Sequence, residues 1–273
     1  MNGPPPRLRR SEPVMGTVAT VELRDPLPAG EAERLADEVF TWLHEVDRRF
    51  STFKVDSEVS RFDRGEMRLS DCSPDMRDVV EQCAELWRRT DGYFDVYATG
   101  RFDPSGYVKG WSVQVASEKL TAAGAVNHLV DAGGDIQSRG RPAPGEEWQI
   151  GVRHPWDPTK LSWVLSGVDL AVATSGSYER GPHVIDPRTG RPASRMRSVT
   201  LVGRHLGLAD AYATAAVAMG AAGLTWLAGL TDHECAVVTE DRLCFRSVDL
   251  PVVLPAEDGP ATAPTAAGAR QIS

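Results

Sequence analysis

The stretch Ala209-Asp210-Ala211-Tyr212-Ala213-Thr214-Ala215-Ala216-Val217-Ala218-Met219-Gly220 is rich in alanine and otherwise largely apolar, which predicts a helix packed into the protein core. Two oxygen-bearing side chains stand at its start, Asp210 and Thr214, four residues apart and so on one face. Two readings fit this pair. Asp is a favoured N-cap, satisfying an orphan N–H, and Thr in such a helix can bond the carbonyl one turn back. Alternatively, a carboxylate, a hydroxyl and first-turn carbonyls offer hard oxygen ligands to a cation such as Mg²⁺. The residues alone leave both open.

Working outward, Val199 to Val202 reads as a strand that delivers the chain to this helix, and Glu234 to Val238 with Leu243 to Val248 reads as a hairpin around Glu240-Asp241-Arg242. Upstream, Trp148 to Val152 and Trp163 to Thr174 are strand candidates, and Val126 to Asp131 runs into Ala132-Gly133-Gly134-Asp135-Ile136. In the first half, Val14 to Leu23 alternates as a strand interrupted at Met15-Gly16-Thr17. Leu35, Val39, Leu43, Val46 and Phe50 give one buried stripe to a helix from about Ala29 to Phe50. Ser73-Pro74 opens a helix that stops near Thr90-Asp91-Gly92, and a further helix is expected from Trp111 to His128. Strands and helices do not alternate strictly. The pattern predicts an α+β fold with largely antiparallel sheets packed with helices, in two intimately associated halves.

The 273 residues carry a net charge of -8, which disfavours nucleic acid or an anionic membrane as the main partner. It also means that a polyphosphate ligand would need a local cation or dipole. No run approaches the about 20 apolar residues that insertion in a membrane requires. The arginines at 7, 9 and 10 are not followed by an apolar signal core, so a cytoplasmic location is expected. Cys72, Cys83, Cys235 and Cys244 form no CxxC pair and suit reduced thiols. Residues 1–12, with three consecutive prolines, read as a disordered lead. Residues 255–273 read as a disordered tail, leaving 13–254 as one domain.

Several glycine-rich and polar motifs remain after the scaffold is removed. They are Met15-Gly16-Thr17; Phe50-Ser51-Thr52-Phe53 with Ser57 to Phe62; Asp91-Gly92-Tyr93-Phe94-Asp95; and Asp103-Pro104-Ser105-Gly106 with Lys109-Gly110-Trp111. Gly133-Gly134-Asp135-Ile136, Ala173-Thr174-Ser175-Gly176, His183 to Gly190 and Ala209 to Gly220 complete the set. Each occurs by chance on its own, but eight in this order, spanning nearly all of residues 14 to 250, resemble the flavin transferase (ApbE) family. Its members are Mg²⁺-dependent FAD:protein FMN transferases with a T-fold-like architecture.

The resemblance implies that Asp210 binds Mg²⁺ through its carboxylate, with Thr214, the carbonyl of Ala213 and a backbone carbonyl at Ser112. It implies FAD contacts from Met15, Phe53, Tyr93, Phe94, Asp95, Lys109 and Ile185. Core packing is the alternative for Met15 and Phe53. His183, ahead of Ile185-Asp186-Pro187, is implied to accept the proton of an attacking hydroxyl, whereas a lone His beside a strand is more often structural. Asp186 has two readings, a ligand contact or a turn-stabilising Asp before Pro. Gln114 stands where many relatives carry an acid. The implied reaction moves FMN from FAD to a Thr or Ser of a partner flavoprotein and releases AMP. Water in place of that hydroxyl would make a diphosphatase, and FAD binding without turnover is the third possibility.

Overall fold

The computed structural model describes residues 8–176, 184–253 and 270–272. It opens with a hairpin of β1 (Leu8–Val14) and β2 (Thr17–Leu23), registered from Leu8 against Leu23 to Val14 against Thr17. The two residues between, Met15 and Gly16, take φ of 53° and 70°, the left-handed pair that turns a two-residue hairpin with the twist of its strands. What looks in sequence like an interruption is therefore the turn. The expected disordered lead is corrected for Leu8 to Glu12, which pair with β2 at the edge of the sheet. Cross-strand charge holds them there, Arg9 lying 3.2 Å from Glu22. Pro13 costs no ladder bond because an edge strand has an unpaired side.

Next come α1 (Glu31–Phe50), α2 (Glu58–Asp63), α3 (Pro74–Arg89) and α4 (Ser105–Ala122), then β3 (His128–Ala132), β4 (Asp135–Arg139), β5 (Trp148–Arg153), β6 (Leu161–Gly167) and β7 (Ala171–Gly176). The Ser73 hydroxyl caps α3 by accepting from the Met76 N–H at 3.2 Å. The chain continues as β8 (Ile185–Asp186), β9 (Arg191–Pro192), β10 (Met196–Gly203), α5 (Leu206–Met219), α6 (Ala222–Ala228), β11 (Glu234–Thr239) and β12 (Cys244–Ser247). A last short strand, β13 (Arg270–Ile272), runs parallel to β12 with Phe245 opposite Arg270. The expected disordered tail is thus corrected at those three residues.

Nine strands form one sheet in the order β1-β2-β3-β4-β7-β10-β11-β12-β13, antiparallel except at the final pair. The two halves of the chain join at its centre, where β4 meets β7 through Ile136 opposite Val172 and Gln137 opposite Ala171. Alternate residues serve two cores. Ala171, Ala173, Val199 and Leu201 face the helical layer of α1, α4 and α5. Val172 and Val202 face Ile150, Val152, Trp163 and Leu165 of the β5–β6 hairpin. The single strand expected from Trp163 to Thr174 divides because Asp169 adopts φ 58° and turns the chain from hairpin to sheet. Cys72, Cys83 and Cys235 are buried free thiols. Burial pushes Cys83 up to about 12 and Cys235 up to about 11, which keeps both unreactive.

α4 starts six residues before Trp111 and ends before His128, a correction with a packing cause. Gly106 and Gly110, which fall outside the expected helix, are contact residues here. A Cβ on Gly110 would lie 2.6 Å from the Leu206 carbonyl oxygen and 2.8 Å from Asp210 Cβ, and one on Gly207 would lie 2.9 Å from the Tyr107 ring. The backbones of α4 and α5 touch where these glycines meet. Beside them, His128 is fully buried between the Ser117 hydroxyl and the Ala125 carbonyl, both at 2.7 Å. Burial lowers its pKa to about 4.

Two outcomes follow. Gly110→Ala forces α4 and α5 apart and lowers stability by about 1–3 kcal/mol, read from urea midpoints. The folded pKa of His128 lies below its ordinary 6.5, so the unfolded chain takes up a proton first as pH falls. The stability held above pH 6.5 is lost towards pH 4 at about 1.4 kcal/mol per pH unit. His128→Asn, which cannot titrate, shows a shallower loss over the same interval.

Candidate active site

Where α4 crosses α5, a cavity of about 160 Å³ opens against the C-terminal end of β7. Lys109, Ser175, Asp210 and Thr214 bring charge and hydroxyls to it, and Tyr93, Phe94 and Asp95 line it from the loop after α3 and Ile185 from β8. α5 begins at Leu206 with His205 as its N-cap residue, so Asp210 stands in the second turn and caps nothing. The capping reading falls on that geometry. Instead the Asp210 carboxylate accepts the Gly110 N–H at 3.0 Å, a bond open only because Gly110 brings the α4 backbone so close. One turn on, the Thr214 hydroxyl lies 3.1 Å from the Ser175 hydroxyl of β7. Ala213 is buried between them in sequence, its carbonyl inside the helix.

Behind this wall is a carboxylate whose role the sequence reading did not identify. Asp135, the first residue of β4, is fully buried, and its side chain meets that of Asp210. Its partner is the ammonium of Lys109, 2.5 Å away. Gly133-Gly134-Asp135 reads in sequence as a turn, and only the register of β4 turns the acid inward. Asp210, 2% exposed, therefore faces a second buried acid. Burial first, and then the charge of Asp135, push its carboxyl well above the usual carboxylate range, while Lys109 and the Gly110 N–H pull it back. Among the described residues two buried acids, Asp135 and Asp210, meet one ammonium here, that of Lys109. Carboxylate and hydroxyl oxygens at the cavity surface suit a hard divalent cation, so the residues present fit Mg²⁺.

The other sequence-derived candidates fall in different places. Ser112 is fully buried, its carbonyl accepts the Trp42 indole N–H at 2.9 Å and its hydroxyl donates to the Lys109 carbonyl at 2.8 Å. It does not line the cavity. Met15, whose sulfur accepts from the Ser112 hydroxyl at 3.7 Å, lines a larger cleft of about 1340 Å³ with Thr17, Gly133 and Gly134. Thr174 forms part of both cavities, so the small one opens beside the large one. Phe53 is 98% exposed, which excludes core packing and leaves it apart from both cavities. His183 lies outside the described residues.

Around the rim, Arg188 sits 4.4 Å over the Tyr93 ring and 2.5 Å from Asp91, tying the β8–β9 turn to the Tyr93 loop. Asp186 accepts from the Arg188 N–H at 2.9 Å and the Thr189 hydroxyl at 3.0 Å, which is its turn-stabilising reading. Gln114 accepts the Gly207 N–H at 3.3 Å and so satisfies an orphan donor of α5.

The raised Asp210 carboxyl gives a prediction with a sign. A group that binds its proton more tightly folded than unfolded makes the metal-free protein more stable as pH falls into its range. Asp210→Asn removes the repulsion while keeping an oxygen for Gly110. It raises the metal-free melting temperature by about a few degrees and abolishes any rise caused by Mg²⁺, both read in one thermal melt series with and without EDTA.

Comparison with known proteins identifies the family. The model of the ApbE family matches residues 15–100 and 97–238. The FAD:protein FMN transferase of Vibrio cholerae is 27% identical, the match covering 80% of this chain and 83% of the relative. That of Haemophilus influenzae is 25% identical over 76% and 79%. The solved structure of the flavin transferase ApbE from Vibrio cholerae superposes with a TM-score of 0.77 at 26% identity, covering 88% of this chain and 97% of that one. An ApbE protein from Thermotoga maritima, at 21% identity and a TM-score of 0.78, shares the fold. The cavity at the crossing of α4 and α5 thus lies within the matched region, and the chain belongs to the ApbE family.

Proposed function

We propose that the protein is a Mg²⁺-dependent FAD:protein FMN transferase that moves FMN from FAD to a Thr or Ser hydroxyl of a partner flavoprotein and releases AMP. The observation that carries this reading is the placing of the Asp210 and Thr214 oxygens beside the Lys109 ammonium, in one cavity with Tyr93 and Phe94. A dinucleotide needs several hundred Å³ of enclosed space, more than this cavity offers. The adjoining cleft past Met15 and Thr174 provides the remainder.

In this reading Lys109 meets the diphosphate, and the aromatic side chains of Tyr93 and Phe94 bound the space beside it. Bound Mg²⁺, held by Asp210 and Thr214, would neutralise phosphoryl oxygens and favour in-line displacement. The acceptor hydroxyl attacks the phosphorus on the FMN side. Its O–P bond forms as the P–O bond to AMP breaks, and the hydroxyl proton passes to His183. AMP leaves with the oxygen of the broken bond, and the acceptor keeps FMN as a phosphoester.

Incubated with FAD, Mg²⁺ and an acceptor flavoprotein, the protein adds one FMN less water to the acceptor mass, and EDTA stops it. Asp210→Asn lowers the transfer rate by at least about 10²-fold, and His183→Ala lowers it by about 10²–10⁴-fold while sparing FAD affinity. AMP and free FMN formed equally fast without acceptor would replace the transferase reading by the diphosphatase one.

A further inference from the structure

Asp135 lies outside the lining of the cavity, yet it is a direct ion-pair partner of the lysine that lines it. Its position is costly, since a fully buried carboxylate set beside a second buried acid is stabilised chiefly by an opposite charge. That charge is Lys109 Nζ at 2.5 Å, on a side chain 21% exposed. Lysine is a flexible four-carbon arm that loses considerable rotamer freedom when fixed. An ammonium held against an immobile acid on β4 has already lost that freedom before any ligand arrives.

Resting on the proposed function, we infer that Asp135 is a positioning residue, which anchors the Lys109 ammonium at the cavity wall so that a diphosphate meets a fixed cation. Position and charge act in opposite directions here. Asp135 is itself an anion close to the diphosphate path, so by Coulomb's law its removal would tighten binding of a negatively charged ligand. As an anchor, its removal frees Lys109 and weakens that binding. The sign of the effect therefore separates the two roles.

The test is FAD affinity, followed by flavin fluorescence in the cold with Mg²⁺ and no acceptor. Asp135→Asn, nearly isosteric and free of the buried charge, is expected to weaken FAD binding by about tenfold. Asp135→Glu, which keeps the charge but displaces the ammonium by one methylene, is expected to weaken it by about threefold. In a Lys109→Met background, where nothing remains to anchor, adding Asp135→Asn leaves affinity unchanged or tightens it. Tighter or unchanged binding by Asp135→Asn alone would overturn the anchor, as would full additivity with Lys109→Met. An Asp135→Glu variant equal to the wild type would overturn it independently, should the Asn variant fail to fold. Absence of FAD binding by the wild type would overturn the proposed function as well, whereas wild-type binding with additive effects overturns the anchor alone.

Discussion

The site depends on the contact between α4 and α5. A helix normally keeps its neighbour 8–10 Å away by the bulk of its side chains. Here Gly110 and Gly207 remove that bulk, so the α4 backbone reaches the Asp210 side chain and the Leu206 carbonyl. This proximity makes the Gly110 N–H a hydrogen-bond donor to Asp210, sets Lys109 beside the same carboxylate and leaves the cavity at the crossing. The alanines of α5 belong to the same constraint. A helix buried on nearly every side, between a sheet and another helix, has little room for larger residues.

The second theme is charge. An acidic chain places two of its acids, Asp135 and Asp210, in its buried interior at the place proposed for an anionic substrate. As a structural device that would be unfavourable, because an uncompensated buried carboxylate costs several kcal/mol. As the proposed cation site it is coherent: a divalent ion would offset the burial and the Asp135 charge that raise the Asp210 carboxyl. The protein accepts local instability in exchange for a site ready to bind, a common pattern at functional centres.

Much of this was legible in the residues. The stripe of α1, the Ser73 cap of α3, the β11–β12 hairpin and the inward α5 helix follow from local chemistry, and the ordered motifs name the family. The failures share a cause, since each needed a partner distant in sequence. Leu8 to Glu12 look disordered until β2 covers them. Gly106 and Gly110 fall outside the expected helix until α5 packs on them. Phe53 reads equally well as core, but among the described residues no element covers it.

By itself the sequence determined the α+β class, the helix that carries Asp210 and Thr214, and the pairing of those two oxygens on one face, because helical spacing is a local property. Whether Asp210 capped the helix or faced a cavity was decided only by tertiary structure, through the three residues of α5 that precede Ala209 and the close approach of Gly110. The same holds for Asp135. Its identity is written in the chain, but its burial against Lys109 exists only once β4, α4 and α5 have packed, since electrostatic partners are set by distance in space and not along the backbone.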